Sequence, residues 1–458
     1  MNSSLWEWPE LCRALHLPEI SGPSVTGIGF DSRLIKPGDL FVALSGDPGT
    51  RFSVSSRSDR DGHNFLQSAL DNGAVGALVA QDNKVAQGKD VSCPSLPVVD
   101  TLDGLWALGR AARARFTGQA VAITGSSGKT TSKEFLSAAL NAFASSGSFN
   151  NHIGVPLTLA QTSKDTRFAV YEIGTNHPGE IAPLSQLVRP NVAVLLNVHN
   201  AHIEYFPSRV ALIKEKISIY KGLEGISRFV INDEIDLSSV PEGVSPLTFG
   251  TTRAADIRLT EVVGDAATYQ IAGEKYQGRI PGGGPHRALS LAAVLGVLIS
   301  LDEDIEKGLN LPHRLVPEGR GNRQLVSGIT LIDDSYNANP VSMKAALSSI
   351  SEEAIAGRKY ALLGDMLELG VDTQALHAEL AQACEGFDGV LCVGEHMRAL
   401  FDALPVAKRL AWSPKVEDIN IKALVNAFSA GDFVLIKGSN RTFWASQFVA
   451  RLVDLLER

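Results

Sequence analysis

Residues 121–132, VAITGSSGKTTS, decide how the rest of the chain is read. An apolar, β-branched run (Val121, Ala122, Ile123) stops at Gly125, a turn of glycine and serine follows, and the apolar period predicts a helix from Thr130 or Thr131. The order is strand, phosphate loop, helix. Gly125, Ser126, Ser127 and Gly128 carry no bulky side chain, so successive backbone N–H groups can converge on phosphate oxygens where the helix dipole already favours negative charge. Lys129 adds a point charge for the terminal phosphates, Thr130 offers a hydroxyl to Mg²⁺, and Thr131 completes the motif. Ile123 stands where a longer phosphate loop would have its first glycine, so the motif is a shortened G-x-x-G-K-T-T. Nucleotide binding is the first expectation.

Outward from this stretch, a chain of 458 residues exceeds one core's usual span and predicts about three domains. A net charge of −8 argues against nucleic acid as a partner and leaves anionic ligands to local Lys and Arg clusters. Cys12, Cys93, Cys384 and Cys392 are widely spaced and form no C-x-x-C, which suits free thiols in a reducing cytoplasm. Glu7 and Glu10 stand where a signal peptide would be basic, so no export is expected. The longest uncharged apolar run, residues 288–301, is too short to span a bilayer and predicts a buried helix.

The fold class expected is α/β in three domains: a small first unit over 1–116, a central phosphate-loop parallel-sheet unit over 117–311, and a third, doubly wound unit over 312–458. In the first, residues 27–33, 39–46 and 76–80 read as strands and 65–72 as a helix. The polar stretches 47–62 and 81–97 read as loops. In the second, residues 134–146 read as a helix that Gly147 caps. Residues 168–173 and 192–198 are near-continuous apolar runs, as strands buried on both faces should be. Ligands in open α/β sheets sit beyond the carboxyl ends of strands, which places Glu172, Asn197, His199, Asn200 and His202 near the phosphate loop. Glu172 reads equally as a metal ligand or a solvated strand-end carboxylate. Without further information, Lys214, Lys216 and Lys221 read as an exposed face. Residues 311–323 read as an interdomain linker; the third unit's strands fall at 330–332, 360–363, 390–393 and 433–436, between helices starting near Ser342, Thr373 and Phe443.

Taken in order, DSR (31–33), PGDLFVAL (37–44), DGHNF (61–65), TGSSGKTT (124–131), NNHIGVPLTL (150–159), YEIGTNHPGEI (171–181), AHIEYF (201–206), DDSYNANPVSM (333–343), LLGDMLELG (362–370) with His377, and KGS (437–439) resemble the Mur ligase family of peptidoglycan synthesis. The resemblance covers nearly the whole chain, and DDSYNANP and GDMLELG point within it to the branch that adds a dipeptide. It implies a cytoplasmic, monomeric ligase with no membrane or nucleic-acid partner. The implied reaction is ATP-driven joining of D-alanyl-D-alanine to a UDP-N-acetylmuramoyl-tripeptide through an acyl phosphate, with two Mg²⁺ ions.

Residue by residue, the resemblance implies that Gly125 to Thr131 hold the triphosphate and that Thr130, Glu172 and His202 surround the metal. It puts Lys216, or Lys214 in a shifted register, at the family's carbamylated lysine. A neutral amine that takes up CO₂ becomes an anion able to hold a second cation. Lys129, Lys216 and His202 would then be the catalytic set. Arg320, Asp334 and Asn337 would reach ATP from the third unit, Asp31, Ser32 and Arg33 the uridine nucleotide, and Asn150 and Asn151 the muramoyl part. Lys437, Ser439 and Arg441 would meet the dipeptide or the γ-phosphate. Three stretches depart from the family pattern. Ser290 stands where an adenine-side Asn is expected, residues 47–61 are longer than usual, and KGSNRTFW lacks the common acidic continuation.

Overall fold

The structure is a computed structural model that describes residues 4–46, 60–84, 93–199, 203–225 and 228–458. Three sheets organise these residues. The first is four-stranded and parallel, with β1 (Gly27–Gly29), β2 (Asp39–Val42), β3 (Gly76–Ala80) and β4 (Ser95–Val98) in that order. All but Val98 of the last of these falls inside the expected loop at 81–97. Leu96 is its only fully buried side chain, too short an apolar signal to read from sequence. The long polar stretch at 47–62 lies almost entirely outside the described residues.

The central sheet has nine strands. They are β5 (Gln119–Thr124), β6 (Phe143–Ala144), β7 (Phe168–Glu172), β8 (Val192–Leu195), β9 (Arg228–Asn232), β10 (Leu247–Gly250), β11 (Ile257–Val263), β12 (Ala266–Ile271) and β13 (Glu274–Arg279). β5 lies between β7 and β8, so the chain crosses to either side of it and the phosphate loop leaves at the switch point. Alternation along β5 feeds two cores. Val121 and Ile123 pack with the helices Lys129–Leu140 and Pro285–Ser300, and Ala120 and Ala122 pack with Ile181–Val188 on the opposite face. Beyond β11 the sheet turns antiparallel.

The third sheet runs in the order β14 (Asn322–Val326), β15 (Ile329–Asp334), β19 (Phe433–Lys437), β16 (Lys359–Gly364), β17 (Gly389–Val393), β18 (Arg409–Ser413). All pairs are parallel except the β14–β15 hairpin, which begins within the expected linker.

Two helices differ from expectation. The first ends at Leu140, not Ser146, because Asn141 turns left-handed (φ 49°) and its N–H returns to Ser137 O, an asparagine doing what glycine more often does. Phe143 and Ala144, whose spacing prolonged the helical pattern, instead pair with β7. The second is Arg209–Ile217, continued as a tight turn over Ser218–Gly222. It buries Leu212, Lys216 and Ile217, whereas Lys214 and Lys221 are exposed, so Lys216 does not lie on a solvated face. Residues 192–198 are strand only to Leu195. Near Phe443 a wide turn (Asn440–Trp444) precedes the helix Phe448–Leu456. Pro285–Ser300 is the expected buried helix, and among the described residues no helix is long and apolar enough to cross a membrane.

Candidate active site

The phosphate loop is held from the neighbouring strand end. Ser127 N donates to Asn197 Oδ1 (2.9 Å), Asn197 Nδ2 donates to Ser127 O (3.2 Å), and Ser126 Oγ accepts from His199 N (2.9 Å). Gly128 has φ 81°, a conformation an L side chain adopts only with strain, and it opens the helix at Lys129. Asn197 and His199 thus brace the loop. Burial, together with the charges of Arg209 and Lys216, lowers the His199 pKa and favours its neutral imidazole. Asn200 and His202 lie outside the described residues.

Lys129 Nζ donates to Gly125 O (2.7 Å). Its pKa is lowered, chiefly by desolvation and also by Arg320, against the opposing pull of Glu172. Next to it, Thr130 Oγ1 donates to Glu172 Oε2 (3.0 Å) and accepts from Arg320 Nη2 (3.1 Å). Glu172 is only 2% exposed and is not a solvated carboxylate. Its other oxygen accepts from Ser148 Oγ and Asn150 Nδ2, both at 2.8 Å. Asn151 Oδ1 caps the helix Gly154–Ala160 through the N–H of Ile153 and Gly154.

Lys216 is 1% exposed, and burial, then the charge of Lys129, pushes its pKa down to about 7 against Glu215. Among the described residues its amine has no hydrogen-bond or ion-pair partner. Glu215 is engaged elsewhere, accepting from the N–H groups of Gly179 and Ile181 (2.8 Å each).

The third sheet presents its carboxyl ends to this centre. Asp334 and Lys437 are register neighbours on β15 and β19, and Lys437 Nζ donates to Asp334 Oδ2 (2.6 Å) and Asn337 O (3.2 Å). Ser439 Oγ meets Thr442 Oγ1 at 3.2 Å. The Arg320 guanidinium lies 4.2 Å from the centre of the Tyr336 ring. Arg287, 8% exposed, joins the second unit to this one. Its Nη1 donates to Gly282 O (2.6 Å) and Gly283 O (3.1 Å), and its Nη2 donates to Arg320 O (2.5 Å). On the same helix, Ser290 Oγ donates to His286 O (3.2 Å), and Gly128 leaves room for this hydroxyl.

In the first unit, Arg33 forms an ion pair with Asp31 (2.6 Å), with its side chain largely in solvent, while Ser32 is buried and its carbonyl accepts from Asn72 Nδ2 (2.8 Å). Phe30 packs edge-on against Phe149 (6.2 Å between ring centroids), which sets the Asp31 turn beside the segment carrying Asn150 and Asn151. The fold therefore gathers Thr130, Glu172, Asn150 and Arg320 by direct contacts, Lys129 by its charge beside Glu172 and Arg320, and Lys216 by its charge beside Lys129.

A hydroxyl and a buried carboxylate 3.0 Å apart fit Mg²⁺, which takes one or two protein oxygens and completes its shell with phosphate and water. Among the described residues no three His, Cys, Asp or Glu side chains converge as a self-sufficient cage. Sequence reasoning missed Lys133, Ser148 and Arg287. Lys133 follows Lys129 by one helical turn, a visible signal, but Arg287 binds only main-chain carbonyls, which no side-chain motif reports.

The Mur ligase middle domain matches residues 123–298, and the Mur ligase, glutamate ligase domain matches residues 319–440. The chain is 31% identical over 453 residues to the UDP-N-acetylmuramoyl-tripeptide--D-alanyl-D-alanine ligase of Rickettsia prowazekii (strain Madrid E), covering 95% of this chain and 97% of that one. It is 35% identical over 446 residues to the ligase of the same name from Escherichia coli (strain K12), covering 92% and 93%. Among solved structures, MurF from Acinetobacter baumannii superposes with a TM-score of 0.80 at 28% identity over 99% of both chains. The MurF ligase from Thermotoga maritima in complex with ADP gives 0.75 at 30% identity over 94% and 98%.

Proposed function

This chain belongs to the Mur ligase family, and from that premise we propose that it joins D-alanyl-D-alanine to a UDP-N-acetylmuramoyl-tripeptide at the expense of ATP. This would be the last cytoplasmic peptide-adding step of peptidoglycan precursor synthesis, performed by a monomer without membrane or nucleic-acid partners. One observation carries the reading: a third-unit arginine, Arg320, is hydrogen-bonded to the phosphate-loop threonine that also holds Glu172. Nucleotide site and third domain thus share one atom, as an enzyme that phosphorylates one substrate and passes it to another requires.

In the proposed sequence, Asp31, Ser32 and Arg33 hold the uridine nucleotide, and Asn150 and Asn151 direct the peptide toward the phosphate loop. A terminal carboxylate oxygen attacks the γ-phosphorus of ATP in line. The bond to the β-phosphate oxygen breaks and ADP leaves. Lys129, Arg320 and the backbone N–H groups of residues 125–131 stabilise the charge spread over the transferring group. Thr130 and Glu172, with His202, would hold Mg²⁺, which would supply neutralisation of phosphate charge there. The dipeptide amine, placed by Lys437, Ser439 and Arg441, then attacks the acyl carbon and loses a proton, and the bond to phosphate breaks. Asp334 and Asn337 face the nucleotide. A buried lysine whose pKa is about 7 keeps a large neutral fraction at neutral pH, which supports carbamylation of Lys216 and a second cation there. Closing three domains around the acyl phosphate excludes the water that would hydrolyse it.

Mass analysis of products formed from ATP, Mg²⁺, D-alanyl-D-alanine and the tripeptide nucleotide containing meso-diaminopimelate or lysine tests the proposal. The expected product is the pentapeptide nucleotide with one ADP per amide. Extension by single amino acids instead, or ATP binding without amide formation, would refute it.

A further inference from the structure

Lys133 is fully buried, and nothing in the reaction above uses it. Removing an ammonium from water is costly unless its donors are satisfied, and the partners it has found are informative. Nζ donates to Ser145 O (2.7 Å) and Gly147 O (2.6 Å) and lies 3.1 Å from Glu134 Oε1. Two of these three are main-chain carbonyls of the irregular segment between β6 and the helix Gly154–Ala160, where Gly147 has φ 85°. That segment has little hydrogen-bonded regularity of its own, so the buried charge fixes its path.

The path ends on Glu172. Directly after Gly147, Ser148 Oγ and Asn150 Nδ2 both donate to Glu172 Oε1, Asn150 Nδ2 also donates to Ser148 Oγ (3.0 Å), and Asn150 O accepts from Gly174 N (2.7 Å). With Oε1 fully engaged, Oε2 is turned to Thr130, one helical turn before Lys133. The contacts close a ring from the phosphate-loop helix, through the 145–150 segment and the end of β7, back to that helix. We infer that Lys133 is a positioning residue for Glu172: by tying residues 145–147 to the phosphate-loop helix it holds Ser148 and Asn150 on one carboxylate oxygen and aims the other at the metal position beside Thr130. This rests on the metal assignment proposed above.

Mn²⁺ serves as the probe, titrated by electron paramagnetic resonance into the full-length protein saturated with a non-hydrolysable β,γ-imido ATP. Lys133→Met, which keeps length and removes charge, and Ser148→Ala, which removes one clamp from Glu172, are each expected to weaken Mn²⁺ binding by about ten-fold, the usual scale for groups that orient a metal ligand. Nucleotide affinity without metal should stay within about two-fold, which a general loss of structure would not allow. If Lys133→Met does not fold, Ser148→Ala decides alone. Wild-type Mn²⁺ affinity in folded Lys133→Met, or in Ser148→Ala, overturns the role. Absence of nucleotide-dependent Mn²⁺ binding in the unmodified protein overturns the metal assignment itself and this inference with it.

Discussion

Arg320 donates through Nη2 to the Oγ1 of Thr130, 3.1 Å away and 190 positions earlier in the chain. The same hydroxyl donates to Glu172 Oε2, so one atom links a third-unit cation, a second-unit carboxylate and the phosphate loop. The guanidinium is oriented by the Tyr336 ring beneath it. Arg320→Ala should lower kcat for amide formation by about a hundred-fold or more, the scale of losing a preorganised donor to a transferring charge. Affinity for the UDP-peptide substrate should hardly change. Steady-state kinetics of ADP release check this, and a change confined to the UDP-peptide KM would contradict it.

Lys129→Ala should abolish ligation while UDP-substrate binding, measured by calorimetry, stays within about two-fold, because among the described residues this side chain hydrogen-bonds only Gly125 O, within the phosphate loop. Near-normal turnover would remove Lys129 from the nucleotide site.

Lys216 gives a pH dependence with a definite sign. CO₂ reacts with the neutral amine, and a pKa near 7 makes that fraction grow through neutrality. Carbamate occupancy, read by ¹³C resonance after incubation with labelled bicarbonate, should therefore rise from pH 6 to pH 8, about one unit either side of that value. In CO₂-free buffer the unfolded chain keeps this proton up to the ordinary lysine value of 10.5 while the folded protein releases it near 7, so stability should rise with pH across that window. Lys216→Met should flatten the slope, and Lys216→Ala should lose activity that short carboxylic acids partly restore. A pH-independent carbamate signal would contradict the assignment.

Gly321→Ala tests the join between the second and third units. Gly321 has φ 82°, and a Cβ there would lie 2.4 Å from Arg287 Nη2. Left-handed strain and the displaced guanidinium together should cost about 1–3 kcal/mol of stability and reduce kcat through Arg320. Denaturant melting and kinetics on the same protein read both effects, and unchanged values in both would show that the contact is dispensable.

Much of the fold was legible because it follows from local pattern. The shortened phosphate loop announces itself by its glycines, and the apolar runs of β7 and β8 and the uncharged run 288–301 announce burial. What failed were the places where a local signal has two physical meanings. Phe143 continues a helical period and also suits an edge strand, and the left-handed Asn141 decides for the strand. Lys216 on spacing alone belongs to a solvated face, yet it packs inward beside Leu212 and Ile217, and only the family resemblance pointed to it. Within the site, the resemblance gives Asp334 to the nucleotide and Lys437 to the dipeptide or the γ-phosphate. Their ion pair spans 103 positions and depends on strand order, which no stretch of sequence states. Arg287 leaves no trace in the sequence, because its partners are main-chain oxygens that every residue carries.

The Arg320 turn is sewn to both of its neighbours. Gly321 N donates to Asp333 O and Tyr336 N to Gly319 O on one side, and Arg287 grips Arg320 O on the other. For recombination between homologues, the junction is therefore not a neutral seam. A chimera that takes its third lobe from another parent inherits a working turn only if an arginine stands at position 287, so grafting at residue 311 onto a parent that lacks it should yield folded halves that do not cooperate.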